Sequence, residues 1–352
     1  MLNFCANSEK SNIRIVITSY KNPEYLVNCI QSLQNQTFPN FQAIIIDDAS
    51  PCEIEPHIKP FIECDARFSF KKNIKNLGGP ITFMRNVATA TEDYIMWLHH
   101  DDWLHNTFLE KAYRSLEDNR QCSFCYSLCS RVMNGIPRNE FPTAIRPDLS
   151  TGPHDISFDT VINCWIMWSS ALIRNSAYKS IGGLDYKYKK QDRRNFQSVY
   201  RMGESDLYLF AKLSSYGEAY VINERLCYYR DHDDSNTNNM HLKSTHIQDN
   251  IRTYDEIYDE HEFFADEVRV MAKINCIGRL TLGVGLAETA YRVLYCSLLS
   301  RELVNIRANV LIGLKKSMAR YILDSEPAGW PRIFNDASID MLEKLIQSEL
   351  KK

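Results

Sequence analysis

Through the first 130 residues, short apolar runs rich in β-branched side chains alternate with longer stretches whose apolar positions recur at spacings of three and four. Residues 13–18 (IRIVIT) predict a strand, 23–36 a helix with Tyr25, Leu26, Cys29, Ile30 and Leu33 on one stripe, and 41–47 (FQAIIID) a second strand. Residues 67–71 predict a short third strand, 80–91 a helix opened by Pro80, and 94–98 the next strand. Alternation of this kind implies an α/β fold, a mostly parallel sheet flanked by helices, whose ligands bind at the carboxyl ends of the strands.

Those ends carry the polar residues. The first strand runs into Thr18-Ser19-Tyr20, the second into Asp47-Asp48-Ala49-Ser50 and the fourth into His99-His100-Asp101-Asp102. Apolar strands that stop in hydroxyls and carboxylates on one edge of a sheet surround one cleft. For Asp47 and Asp48, capping and turn formation explain the residues equally well. For Asp101 and Asp102 a site is the better reading, since four consecutive titratable residues between an apolar strand and Trp103 are costly to place for structure alone.

Beyond residue 150 the pattern changes. Trp165 and Trp168 lie in a mixed apolar run, Gly182-Gly183 breaks the chain, and Gly203-Glu204-Ser205-Asp206 leads a helix with Leu207, Phe210, Ala211 and Leu213 at helical spacing. Two strand-like runs follow, 219–222 and 226–229, ending in Arg230-Asp231-His232. The polar run 236–239 reads as a linker, dividing a catalytic domain at 1–238 from an all-helical C-terminal subdomain at 239–352. Its helices, with apolar residues at three and four spacing, are expected to pack against the catalytic part or a second copy of the chain. Arg301, Arg307, Lys315, Lys316 and Arg320 would permit peripheral contact with an anionic membrane, although a solvated helix face explains them more simply.

Charge and cysteine content narrow the picture. Forty-one Lys and Arg against 44 Asp and Glu leave a net charge of -3, with no field to draw in a nucleic acid. The first dozen residues lack the pattern of a secretory signal, and the weakly polar stretch 277–300 is broken by Arg279, Glu288 and Arg292, so a cytoplasmic chain without a membrane span is expected. Eleven scattered cysteines, an odd number in a long chain, fit reduced thiols. Cys122, Cys125 and Cys129 are candidates for zinc or iron–sulfur ligation, but a buried strand explains that segment more simply.

Eight segments in order resemble the family 2 glycosyltransferases of the GT-A fold: IVITSY (15–20), CIQSLQNQT (29–37), IIDDAS (45–50), NLGG (76–79) with Arg85-Asn86, the stretch 94–104, IGGLD (181–185), residues 204–213 and YRDH (229–232). The resemblance implies a nucleotide-sugar donor held by Thr18, Tyr20, Asp47, Asp48 and Asp102, with Arg85 reaching the diphosphate. It implies manganese or magnesium on Asp101, with His232 near the metal or phosphate and His99 standing where the family usually has its first Asp. Asp206 aligns with the family's general base and Ser205 replaces the preceding Glu, with Glu204 as the fallback; both acids also suit a helix N-terminus. Trp165 and Trp168 either stack on an acceptor sugar or belong to the core. The expected reaction is inverting transfer, from a uridine-linked donor, to a hydroxyl of a glycan or lipid-linked glycan. Two competitors share the site chemistry: a nucleotidyltransferase, which would need a basic glycine-rich loop after the first strand, and a nucleotide-sugar-binding protein without turnover, a reading that His99 sustains.

Overall fold

The computed structural model describes residues 11–133, 135–138, 149–157, 160, 164, 166–184 and 205–232. The predicted boundary at 238 and helical segment 239–352, together with Glu204 and Trp165, lie outside the described residues.

Strand β1 (Ile13–Ser19) is followed by helix α1 (Pro23–Gln34), β2 (Phe41–Asp47), α2 (Glu55–Ile62), β3 (Phe68–Lys72), α3 (Gly79–Val87) and β4 (Tyr94–His99). Next come the two-residue β5 (Trp103–Leu104), α4 (Phe108–Asp118), β6 (Cys122–Met133), β7 (Ile136–Arg138) and β8 (Gly152–His154). A 3₁₀ turn at Trp168–Ser170 leads into β9 (Ala171–Arg174), α5 (Asn175–Ser180), α6 (Ser205–Tyr216) and β10 (Glu218–Asp231). The ten strands among the described residues join one mixed sheet of order β3-β2-β1-β4-β9-β6-β10-β5, with β7 on β6 and β8 on β10. The β1, β2, β3 and β4 pairings are parallel, as is β6 with β10, while β9 runs antiparallel to both β4 and β6.

Burial on both faces explains why the central strands read as continuous apolar runs. Ile13, Ile15 and Ile17 of β1 and Tyr94, Met96 and Leu98 of β4 share a buried core with Leu26, Ile30 and Leu33 of α1, Ile58 of α2 and Phe108, Leu109 and Leu116 of α4. On the opposite face Trp97 stacks on Phe83 of α3 with ring centroids 5.1 Å apart, and Phe210 of α6 packs 5.2 Å from Phe124 of β6. The start of α3 presses on the sheet so closely that a Cβ at Gly79 would lie 2.7 Å from the Trp97 ring. Cys122, Cys125 and Cys129 are buried on β6, and no metal-ligating group includes them among the described residues.

The chain leaves β1 outward through β2 and β3, then returns to place β4 on the other side of β1. This reversal opens a crevice at the carboxyl ends of β1 and β4, where open α/β sheets bind their ligands. Thr18 and His99 face each other in register there. The two runs expected at 219–222 and 226–229 form one strand, β10, whose pairing with β6 shifts register between Ile222 and Arg225 and between Arg225 and Cys227. That irregularity lets the exposed Asn223-Glu224 pair interrupt an otherwise buried strand.

Candidate active site

Where β4 ends, the Asp102 amide donates back to the His99 carbonyl at 3.2 Å, so the chain turns tightly and presents His100 and Asp101 at the sheet edge. The two aspartates then part ways. Asp102 is only 1% exposed. One of its oxygens accepts the Ser169 hydroxyl at 2.6 Å and the other accepts the Arg230 amide at 3.1 Å. The Ser169 Oγ also accepts the His99 amide at 3.1 Å. Asp102 therefore acts as a bracket, fastening the end of β4, the turn before β9 and the end of β10 to one another. Asp101, 19% exposed at its side chain, accepts or shares a hydrogen with His232 Nε2 at 3.1 Å.

The electrostatics follow this division. Burial first, and the Asp101 charge second, push the Asp102 carboxyl well above the usual carboxylate range. Burial also works against ionisation of Asp101, but the His232 hydrogen bond and the imidazoles of His100 and His99 outweigh it and hold that carboxyl well below the range. Burial lowers His99 and His100, leaving neutral rings with a lone pair to offer. Ligand atoms of His99, Asp101 and Asp102 lie within 4.8 Å of one another, so the cluster has the composition and spacing of a cation site. With both Asp102 oxygens committed, Asp101 is the carboxylate left to bind.

Beside this cluster, the ends of β1 and β2 are stitched together. Lys21, Asn22 and Ala49 take the left-handed backbone conformation, with φ of 63°, 47° and 59°. The Ser50 Oγ accepts the Lys21 amide at 2.9 Å, and the Asp47 carboxylate accepts the Ser50 amide at 2.9 Å. The Thr18 Oγ1 accepts Trp97 Nε1 at 2.9 Å, and Tyr20 is 40% exposed at the rim. Asp47 is fully buried and pairs with Lys72 Nζ at 3.4 Å.

Asp48 has a different task from the one its position suggests. It is 3% exposed. Its oxygens accept Asn73 Nδ2 at 2.7 Å, the Leu77 amide at 3.0 Å, the Gly78 amide at 2.7 Å and the Thr82 hydroxyl at 3.1 Å. It holds the segment leading into α3 from another loop. Asp48→Ala would leave the Leu77 amide and the Thr82 hydroxyl without this acceptor, while the Gly78 amide keeps Asn76 Oδ1 and Asn73 keeps Thr82 Oγ1, and is expected to cost about 3 kcal/mol, given about 1–3 kcal/mol per buried unsatisfied group. Urea unfolding measures this; an unchanged midpoint would mean that the loop does not depend on the carboxylate.

Asp206 stands in the first turn of α6, where its Oδ1 accepts the amide of Leu207 at 2.8 Å. The preceding Ser205 accepts Trp168 Nε1 at 3.1 Å, Trp168 lies 4.7 Å from Trp97, and Trp97 reaches Thr18. Two indoles thus connect the start of α6 to the crevice at β1 and β4.

One expectation is corrected. Trp168 is 4% exposed, with its ring against Trp97, Phe83 and Phe210, so it is a core residue and offers no face to a sugar. Arg85 is exposed on the last turns of α3, and the carbonyl of its neighbour Asn86 accepts Arg14 from the beginning of β1. Tyr25, read from the sequence as part of the α1 stripe, lies with its ring 5.1 Å from His232, and Trp103 lies 4.7 Å from the Arg230 guanidinium; Ser169 carries no sequence signal at all, since its role exists only once the turn before β9 meets β4.

The model of glycosyl transferase family 2 matches residues 14–180, from the second residue of β1 to the end of α5. This stretch is a glycosyl transferase family 2 domain. An uncharacterized glycosyltransferase of Methanocaldococcus jannaschii, MJ1057, is 34% identical over 121 residues, 34% of this chain and 42% of the relative. The chain thus spans less than half the length of that relative. In fold the chain is similar to S. aureus TarS 1–349 in complex with UDP-GlcNAc, with TM-score 0.56 and 14% identity over 89% of this chain and 92% of that one. It is also similar to the mannosyltransferase PcManGT from Pyrobaculum calidifontis in complex with GDP-Man and Mn2+, with TM-score 0.54 and 10% identity over 91% and 89%. These likenesses establish the GT-A architecture. The family 2 domain contains Thr18, Tyr20, Asp101, Asp102 and Ser169, whereas Asp206, Arg230 and His232 lie past its matched end and join it through the contacts described above. Among the described residues no helix is long and apolar enough to cross a membrane.

Proposed function

We propose that the chain is an inverting glycosyltransferase that moves a sugar from a uridine-linked nucleotide donor to a hydroxyl of a glycan or lipid-linked glycan, acting in polysaccharide synthesis on the cytoplasmic side. The observation that supports this reading is the Asp101–His232 pair at the end of β4, beside Thr18 in register on β1. The contact of Ser205 with Trp168, which packs on Trp97, supports placing Asp206 as the base on the same side.

Asp101, with His232 and His99 around it, would hold magnesium or manganese through one carboxylate and imidazole nitrogen, the donor's phosphates completing the shell. A cation bound there supplies positive charge to the diphosphate oxygens. Thr18 and the exposed Tyr20 ring flank the nucleoside, with the Asp48-held loop forming the adjoining wall. Asp206 takes the proton from the acceptor hydroxyl as its oxygen attacks the anomeric carbon from the face opposite the diphosphate. The new C–O bond forms as the bond to the diphosphate breaks, its electrons leave on the diphosphate, and the anomeric configuration inverts.

A panel of sugar nucleotides including UDP-GlcNAc and GDP-mannose, each incubated with Mn2+ and with EDTA, tests the reading. Cation-dependent release of nucleoside diphosphate from at least one donor is expected, fastest from a uridine-linked one. Tight binding without release from any donor would instead identify a nucleotide-sugar-binding protein.

A further inference from the structure

Arg230 is held more firmly than any role in folding explains. Its backbone amide is fixed by Asp102 at 3.1 Å and its Nε donates to the Asp101 carbonyl at 3.1 Å. Its guanidinium lies over two aromatic rings, 4.4 Å from the Tyr25 centroid and 4.7 Å from that of Trp103. The Trp103 ring is itself backed by Tyr228, stacked at 5.4 Å. These contacts orient the group while leaving its two terminal nitrogens unspent.

Arg14, Arg67, Arg114, Arg120 and Arg131 each pair with a carboxylate, whereas among the described residues no carboxylate forms an ion pair with Arg230, as with Arg85 and Arg174. Asp102 feels its charge from within the core yet accepts its amide rather than its guanidinium. His232 follows the last residue of β10, two positions after Arg230, and reaches the Asp101 carboxylate. A half-buried, pre-oriented and unpaired guanidinium beside an acidic cation site is built to receive an anion that also touches the cation. Aromatic faces can stabilise the charge while the site is empty, but only an anion makes use of the free end of the fork.

We propose that Arg230 binds the terminal phosphoryl group of the donor's diphosphate and stabilises it as the leaving group. The assignment rests on the donor reading above, and it gives Arg230 the task that sequence similarity had given to Arg85. Negative charge accumulates on that phosphoryl group as the glycosidic bond breaks. A planar fork that needs no reorientation at that moment is worth more than a flexible lysine.

Titration calorimetry with UDP and with UMP, in Mn2+, separates the diphosphate from the rest of the nucleotide. Arg230→Met should weaken UDP by about tenfold or more while changing UMP by less than about threefold, the scale of losing charge-assisted hydrogen bonds to one phosphoryl group. Arg230→Lys, which keeps the charge but loses the fork and the stacking, should fall between the two, and it carries the same comparison if the Met variant does not fold. Tyr25→Leu, which removes one of the two plates, should also weaken UDP selectively. Equal losses for UDP and UMP, or no loss of UDP by a folded Arg230→Met protein, would overturn the proposal while leaving the donor reading intact. A wild-type protein that binds neither UDP nor GDP would overturn both.

Discussion

Asp206→Asn is expected to lower sugar transfer by about 10²–10⁴-fold, the usual contribution of a positioned general base, with donor affinity roughly unchanged. The asparagine keeps the size of the side chain and can still accept the Leu207 amide that Asp206 accepts at 2.8 Å, so the start of α6 should survive. What it cannot do is take a proton. If the acid served only the helix dipole, the substitution would cost about 0.3–1 kcal/mol of stability and leave turnover alone. A parallel measurement of transfer, donor binding and unfolding therefore separates the two roles. Transfer within tenfold of wild type would remove Asp206 from the mechanism and turn attention to Glu204.

The second large effect is expected at Asp101. Asp101→Asn should reduce cation-dependent turnover by at least about 10²-fold, because it takes the charge from the one carboxylate in the cluster that is not committed elsewhere. Raising Mn2+ should recover part of the loss, since an amide oxygen remains a weak ligand for a hard cation. Loss of the 3.1 Å contact with His232 should cost about 1 kcal/mol in stability. Asp101 also contributes to the pH dependence of folding. Its carboxyl is held well below the usual range, so its contribution is present above the unfolded-state value near 4 and is lost as pH falls through the lower folded value. The Asn variant should therefore lose less stability on acidification than wild type. Asp102 offers the contrast: with both oxygens inside the protein, Asp102→Asn should disturb the junction of β4 and β10 before it disturbs the cation. If Asp101→Asn turned over normally with Mn2+ and with EDTA alike, the cluster would have no part in binding a cation.

How far the sequence led can be judged at particular residues. The strands β1, β2 and β4 were legible because both of their faces are buried, and α1 because its apolar stripe faces a single core. The carboxyl edge was legible because each of those strands stops abruptly in polar residues. What could not be read was which polar residue faces outward. Asp101 and Asp102 are neighbours, yet only the arrival of Ser169 and the Arg230 amide decides that the second is the bracket. Asp48 looks like a ligand for a nucleoside until Asn73, Leu77 and Gly78 close on it from a loop 25 to 30 residues away. For Arg85 a motif gives the position in the sequence but not the reach of a side chain exposed on α3. Trp168 illustrates the same limit, since an indole three residues from another reads as a platform or a core residue until its neighbours are known. Helix α4 was missed although Phe108, Leu109, Ala112 and Leu116 form an ordinary helical stripe, while the two prolines of α2 concealed that helix.

A crystal structure of the full chain with UDP and Mn2+ tests the central claim most directly. The diphosphate should lie between the Asp101 carboxylate and the Arg230 guanidinium, the cation on Asp101, the uracil beside Tyr20, and Asp206 should open onto the same cleft. A nucleotide bound elsewhere, or Asp101 and Asp206 facing separate surfaces, would contradict the account.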